Sequence, residues 1–294
     1  MMTNPVRCIE PSGGPVPVVL DSPHSGRQYP PDFRTRIVRS RLQQLEDGFV
    51  DELFANAPSV GATLIAAEFP RTYIDPNRAI DDIDQAALAN PWPGLARPTQ
   101  KALLGVGLVF TKTPEAEPLY NAALSAAEVQ SRIERCYVPY HGALNKQLLQ
   151  SRERFGTVWH INCHSMPSHA PRASASIAAK RRPDFCLGNR YGASCAPELT
   201  HAARTFLQAH GYLVTVNDPY AGLEVLQRHG APERGVHSLQ LEINRDLYMC
   251  EHNHQRHSGF TALQTLMTAM VQRLALDWAA CNRNWPANER DAAE

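Results

Sequence analysis

Short apolar runs alternate with stretches of helical periodicity from one end of this chain to the other, and few folds accommodate that order. The clearest runs are VPVVLD (16–21), residues 62–69, VWHINCHSM (158–166) and VHSLQLEI (236–243), with shorter ones at 105–110 and 211–216. Helical spacing of apolar residues covers 36–57, 118–155 with a break near Pro139, 198–210, 220–229 and 260–278. Buried strands of this kind need helices on both faces, so the pattern predicts an α/β chain: a single three-layer α/β/α domain around a mixed, mostly parallel sheet. No repeat and no shift in composition divides residues 1–294, and 284–294 read as a disordered tail.

Charge narrows the partners. Lys plus Arg and Asp plus Glu number 29 each, so there is no electrostatic case for nucleic acid or an anionic membrane, and any anion must be recognised locally. The seven cysteines are odd in number and scattered, with no C-x-x-C pair, which suits free thiols in a reducing compartment. The N-terminus MMTNPVRCIEPSGGP has no apolar core of a signal peptide, and no run approaches the roughly 20 apolar residues that span a bilayer. A cytoplasmic location is the expectation.

Chemistry collects where strands end. The run 158–166 closes in His164-Ser165-Met166-Pro167, and 16–21 closes in Ser22-Pro23-His24-Ser25, so two histidines stand at the ends of two strands of one sheet. A hydrolytic zinc takes three protein ligands and leaves a fourth position for water, so the histidines call for a carboxylate. Asp21, Asp47, Asp51, Asp75 and Glu242 are the candidates, there is no H-E-x-x-H, and spacing alone leaves the choice open. Asp47 and Asp51, four apart, are expected on one helix face. Glu242 ends the last strand, where it would serve as a general base or simply pair with Arg245.

The segment FPRTYIDPNR (69–78) holds Asn77 together with Arg71 and Arg78, and the planar forks of the two arginines suit a carboxylate, against the plainer reading of arginines paired with loop aspartates. Cys163 is a nucleophile candidate beside His164, weakened because strand neighbours face opposite ways. His160, four residues before His164 and ~13 Å away along a strand, reads as core. Two irregular stretches, 91–98 and 168–190, are lid candidates by composition.

Seven segments in order along the chain, SPHSGRQYP, LEDGFVDELF, FPRTYIDPNR, VPYHGAL, CHSMPS, LGNRYGASC and RHGAPERGVHSLQLEINRDLYM, together resemble the N-formylglutamate amidohydrolase family. The resemblance implies a phosphorylase/hydrolase-like fold related to zinc carboxypeptidases. It also implies a divalent metal, zinc or alternatively cobalt, on His24, Asp47 and His164, with Glu242 as general base. Arg71 would polarise the scissile carbonyl. Asn77 and Arg78, helped by His141, Arg190 or Arg245, would hold the carboxylates of a small dianionic substrate, N-formyl-L-glutamate, in histidine degradation. One departure stands out: relatives often carry Asp two residues before the CHS histidine, where this chain has Asn162. Competing readings are a related metal-dependent amidohydrolase or carboxypeptidase on another N-acyl amino acid, a cysteine amidase using Cys163, and a binding protein that has kept the fold. No sequence feature sets an oligomeric state.

Overall fold

The computed structural model describes residues 4–170 and 180–282. A seven-stranded sheet runs through it in the order β1 (Val6–Ile9), β3 (Thr63–Ala67), β2 (Val18–Ser22), β4 (Val158–Met166), β7 (Val236–Asn244), β5 (Phe185–Gly188) and β6 (Val214–Val216). Four of the pairings are parallel, while β1 with β3 and β5 with β7 are antiparallel, which gives the mixed, mostly parallel sheet of a single α/β domain.

Helices cover both faces. On one side Leu20, Ile161, Cys163 and Leu241 pack against α2 (Val50–Leu53), α6 (Pro197–Ala209) and α8 (Gly259–Cys281). On the other, Val19, Ile65 and Val158 pack with Leu144 and Leu148 of α5 (Val138–Phe155) and Val129 of α4 (Ala126–Arg132). All nine residues of β4 are buried, and each fully buried large apolar side chain contributes ~1.5–3 kcal/mol. Cys163 belongs to the first of these cores, so burial pushes its thiol well up and it cannot act as a nucleophile.

Several elements differ from the sequence expectation. Residues 36–57 do not form one helix: α1 (Arg39–Gln43) and α2 flank a loop at 44–49, and Phe49 breaks the path with φ 63°. Asp47 therefore sits in a loop and Asp51 on α2, and they share no helix face. The 118–155 helix begins at Ala126, where Ser125 and Glu128 form a reciprocal capping box. It passes Pro139 through a π-helical turn, Ile133–Tyr137, because the wider turn absorbs the missing donor. Residues 105–110 make only an isolated bridge between Val106 and Phe110, folded back against the short α3 (Gln100–Leu103).

Strands β1 and β5 have no counterpart in the sequence pattern; β5 takes 185–188 of the 168–190 stretch into the sheet, and 171–179 of that lid candidate lie outside the described residues. The segment before α7 (Glu224–His229) is irregular from Tyr220 onward. The expected tail at 284–294 lies outside the described residues.

Candidate active site

Parallel register places the chemistry. His24 follows the end of β2, and on the adjacent β4 and β7 His164 lies opposite Glu242, Asn162 opposite Gln240 and His160 opposite Ser238. Alternation puts these six residues on one sheet face, away from the Ile161 and Cys163 core. The carboxylate comes from the loop between α1 and α2, whose Asp47 backbone N–H donates to the His24 carbonyl at 3.0 Å. Asp47 Oδ2 then stands 2.9 Å from His164 Nδ1 and 3.3 Å from His24 Nδ1.

Arg245 fixes that loop. Its guanidinium donates to the Gln44 carbonyl (3.1 Å), the Glu46 carbonyl (2.8 Å), Asp47 Oδ1 (3.1 Å) and Ser165 Oγ (3.1 Å). Four of its five donor hydrogens are thereby committed, so Arg245 positions Asp47 and is not free to grip a substrate carboxylate. Asp51, the alternative ligand, is instead paired with Arg7 at 2.5 Å.

The outer nitrogens of the two histidines decide which inner ones are available. His24 Nε2–H donates to Asp75 Oδ1 at 2.6 Å and His164 Nε2–H to Asn162 Oδ1 at 2.8 Å, since both partners can only accept there. Both Nδ1 lone pairs then converge with the Asp47 carboxylate, all three ligand atoms lying within 4.8 Å of one another and buried. The three acceptors face one point, where a divalent cation would supply the positive charge between them. The donor set of two imidazoles and one carboxylate fits such an ion with a position left open.

The surrounding charges are tuned by burial and pairing. With no cation bound, burial opposes ionisation of Asp47, but protonation of His164 and His24 at Nδ1 supplies hydrogen bonds and charge that outweigh it and hold the carboxyl well below its ordinary range. Asp75 is likewise held low against burial by Arg71 and His24; Arg71 reaches its Oδ2 through Nη2 at 2.7 Å and Nε at 3.2 Å. Burial pushes Glu242 up to about 7, with His164 pulling it down and Asp47 pushing it further up. Gln240 Nε2–H donates to Glu242 Oε1 at 2.9 Å, which orients the carboxylate.

Asn77 and Arg78 are buried beside these groups. Asn77 accepts the Val225 N–H at 3.0 Å, and its Nδ2 lies 3.2 Å from His164 Nε2, a donor facing a donor, so its amide hydrogens are left for an incoming acceptor. Arg78 has only Asp82 within ion-pair range, at 3.6 Å, and its buried Nε has no partner among the described residues.

Two other candidates stand elsewhere. His141 Nε2–H donates to the Pro76 carbonyl at 3.0 Å and its Nδ1 accepts from His229 at 2.9 Å, so both nitrogens are spent supporting the Asp75–Asn77 turn from beneath. Arg190 follows β5, which runs antiparallel to β7 from Phe185 opposite Ile243 to Gly188 opposite Gln240. Its side chain is carried away from Glu242 and donates to Gln227 Oε1 at 3.1 Å.

Below the site, Asp21 forms a fully buried polar floor. It accepts from His160 Nε2 (2.8 Å), from Asn162 Nδ2 at 2.9 and 3.1 Å and from the Tyr140 hydroxyl, while His160 Nδ1 meets Ser238 Oγ at 2.9 Å. His160 is core, as the strand spacing implied. Asp75 and Gln240 escaped notice in these roles, although period two on β7 places Gln240 on the face of Glu242.

The chain is similar to known proteins over most of its length. The family model described as N-formylglutamate amidohydrolase matches residues 16–249. An N-formylglutamate deformylase of Pseudomonas putida is 31% identical over 242 residues, covering 81% of this chain and 84% of the relative. A solved N-formylglutamate amidohydrolase of Ralstonia eutropha JMP134 superposes with a TM-score of 0.86 at 43% identity, covering 92% of this chain and 97% of that one. A gene product of Agrobacterium tumefaciens, 18% identical, shares the fold with a TM-score of 0.68 over 94% of this chain and 96% of its own. A match of this length together with relatives of this similarity establishes that the chain belongs to the N-formylglutamate amidohydrolase family.

Proposed function

We propose that this protein hydrolyses the formamide of N-formyl-L-glutamate to formate and L-glutamate, using one divalent metal, zinc, held by His24, Asp47 and His164. The observation that carries the reading is the register of β4 and β7, which sets Glu242 beside His164 and next to the three converging donors. Bound there, the cation supplies Lewis acidity that polarises a carbonyl and acidifies a water.

The remaining work falls to the chain. Glu242, raised by burial to about 7, takes a proton from the attacking water and returns it to the departing amine nitrogen. Arg71, held in place by Asp75, faces the oxygen on which negative charge develops as the formyl carbon becomes tetrahedral. Asn77 and Arg78 offer the unpaired donors that a carboxylate next to the scissile amide requires. One catalytic domain in the cytoplasm accords with this reading, all seven cysteines being free thiols.

Metal analysis of the purified protein beside formate release from N-formylglutamate tests the proposal. Stoichiometric zinc with turnover that a chelator abolishes and zinc restores is expected. Turnover that survives exhaustive chelation, or faster hydrolysis of N-acetylglutamate than of the formyl compound, would refute it.

A further inference from the structure

The proposed chemistry needs two things at a fixed separation: the three donors of His24, Asp47 and His164, and the guanidinium of Arg71. Asp47 comes from the loop at 44–49, and Arg71 from the segment 70–78 that also carries Asp75, Asn77 and Arg78. Among the described residues, the hydrogen bonds that join these two segments directly are made by one side chain, Glu46, to which the mechanism gives no part.

Glu46 is buried, at 2% exposure, beside Asp47. Its Oε2 accepts the Arg71 backbone N–H at 3.0 Å, and its Oε1 accepts the hydroxyl of buried Thr72 at 2.9 Å. The chain turns at this point, where the Tyr73 N–H closes onto the Pro70 carbonyl at 3.0 Å, and Glu46 supplies the acceptor that the Arg71 N–H does not find within the turn. On its own side, the Glu46 carbonyl accepts from Arg245 Nη2 at 2.8 Å, and the same Nη2 donates to Asp47 Oδ1 at 3.1 Å. One residue thus connects the clamp on Asp47 to the backbone of Arg71.

Other anchors act away from that junction. Asp47 is held by Arg245 and by its own N–H on the His24 carbonyl at 3.0 Å. Further along 70–78, the Asp75 N–H donates to the Leu108 carbonyl at 2.8 Å and Arg132 Nη1 to the Tyr73 carbonyl at 2.9 Å. Arg71 leaves the backbone ahead of both, and its Nη1 stands 4.0 Å from Asp47 Oδ1. A carbonyl oxygen shared between a cation on the donor cluster and this guanidinium demands close placement, and a misplacement of about 1 Å costs roughly 10²-fold in rate.

We propose that Glu46 is a positioning residue that keeps the Arg71 guanidinium in register with the His24–Asp47–His164 cluster, acting through the Arg71 backbone and Thr72. The assignment rests on the reading of Arg71 as the group facing the developing oxyanion. Hydrogen bonding alone is what the position requires. A glutamine there keeps both bonds, because its oxygen accepts the Arg71 N–H and its amide donates to the Thr72 hydroxyl, which accepts as readily as it donates.

The test is a mutant cycle on the zinc-loaded enzyme with N-formylglutamate. Glu46→Met should lower kcat about 10–100-fold, leave KM within about threefold and retain stoichiometric zinc, because Arg245 and the His24 carbonyl still hold Asp47. In an Arg71→Ala background, which keeps the backbone N–H but not the guanidinium, the same substitution should change kcat by less than about threefold. Glu46→Gln should stay within about threefold of the wild type. Should Glu46→Met fail to fold, the isosteric Thr72→Val removes one of the two bonds, and its smaller loss, about three- to tenfold, should likewise vanish with Arg71→Ala. Wild-type kcat in Glu46→Met, an equal fold-loss in both backgrounds, loss of zinc, or Glu46→Gln as impaired as Glu46→Met overturns the role of Glu46 and leaves the deformylase reading intact. A wild type inactive on N-formylglutamate, or wild-type kcat in Arg71→Ala, overturns the reading on which the role rests.

Discussion

Two neutral histidines buried under the site should each subtract from the stability of the fold on mild acidification. His229 Nε2–H donates to His141 Nδ1 at 2.9 Å, the rings stack with centroids 5.2 Å apart, and His141 passes the chain of bonds to the Pro76 carbonyl. Burial, then the charge of Arg228, lowers His141 to about 4, and burial, then His141 itself, lowers His229 to about 2. In the unfolded chain each titrates near 6.5.

The sign follows from these depressed values. Above pH ~6.5 neither state binds the protons and the contribution to stability is complete; below it the unfolded chain takes them up while the folded one cannot until about 4 for His141, so stability falls. Between about pH 7.5 and about 5.5 each histidine costs ~1.4 kcal/mol, or ~2.8 kcal/mol for the pair. In urea unfolding of chelator-treated protein at the two pH values, Glu46 and Glu242, raised by burial to about 8 and about 7, contribute with the opposite sign, so the histidine effect is read from the difference between variant and wild type. His229→Gln keeps a donor toward His141 but removes one titration, so its loss of stability over the same interval should be smaller than that of the wild type by ~1.4 kcal/mol. Any constant penalty of the substitution cancels in that difference. An identical loss in the two proteins would refute the reasoning.

The site yields three further expectations. Glu242→Gln should keep its metal, measured by elemental analysis, and lose ~10²–10⁴-fold in kcat; unaltered turnover would remove Glu242 as the base. Asp75→Asn deprives His24 Nε2 and Arg71 of their anionic partner, so zinc affinity in a competition titration should fall ~10–100-fold, and unchanged affinity would deny Asp75 its orienting part. Asn162→Asp would turn two donor hydrogens into a carboxylate facing buried Asp21, and should cost at least ~2 kcal/mol in urea unfolding; a neutral or stabilising result would refute the account of the Asp21 floor.

That floor also bears on why this chain carries Asn162. The amide serves both sides at once: Nδ2 satisfies both oxygens of Asp21, and Oδ1 accepts from His164, fixing the tautomer that turns Nδ1 inward. From the sequence the departure reads as one negative charge fewer near the metal. In the structure it is the neutral link between a buried carboxylate and a candidate metal ligand, and a strand reading cannot reveal this because Asp21 reaches it from the adjacent strand.

What the sequence alone determined is what local periodicity encodes. Continuous apolar runs and helical spacing dictate a sheet covered on both faces, and the ends of VPVVLD and VWHINCHSM bring His24 and His164 to one sheet edge, because parallel strands terminate together. Alternation on β4 and β7 already separates Cys163 and Ile161 from His164 and Glu242. What only the tertiary structure decided depends on contacts between residues far apart in the chain. Asp47, not Asp51, is brought beside His24 and His164 by a loop that Arg245 clamps across 198 residues of sequence, and that Phe49 permits by taking a left-handed backbone. Arg190 is removed from the site by the antiparallel direction of β5, and His141 by its bond to His229. Charge–charge distances of a few ångströms set these roles, and only the fold, which determines who neighbours whom, can supply them.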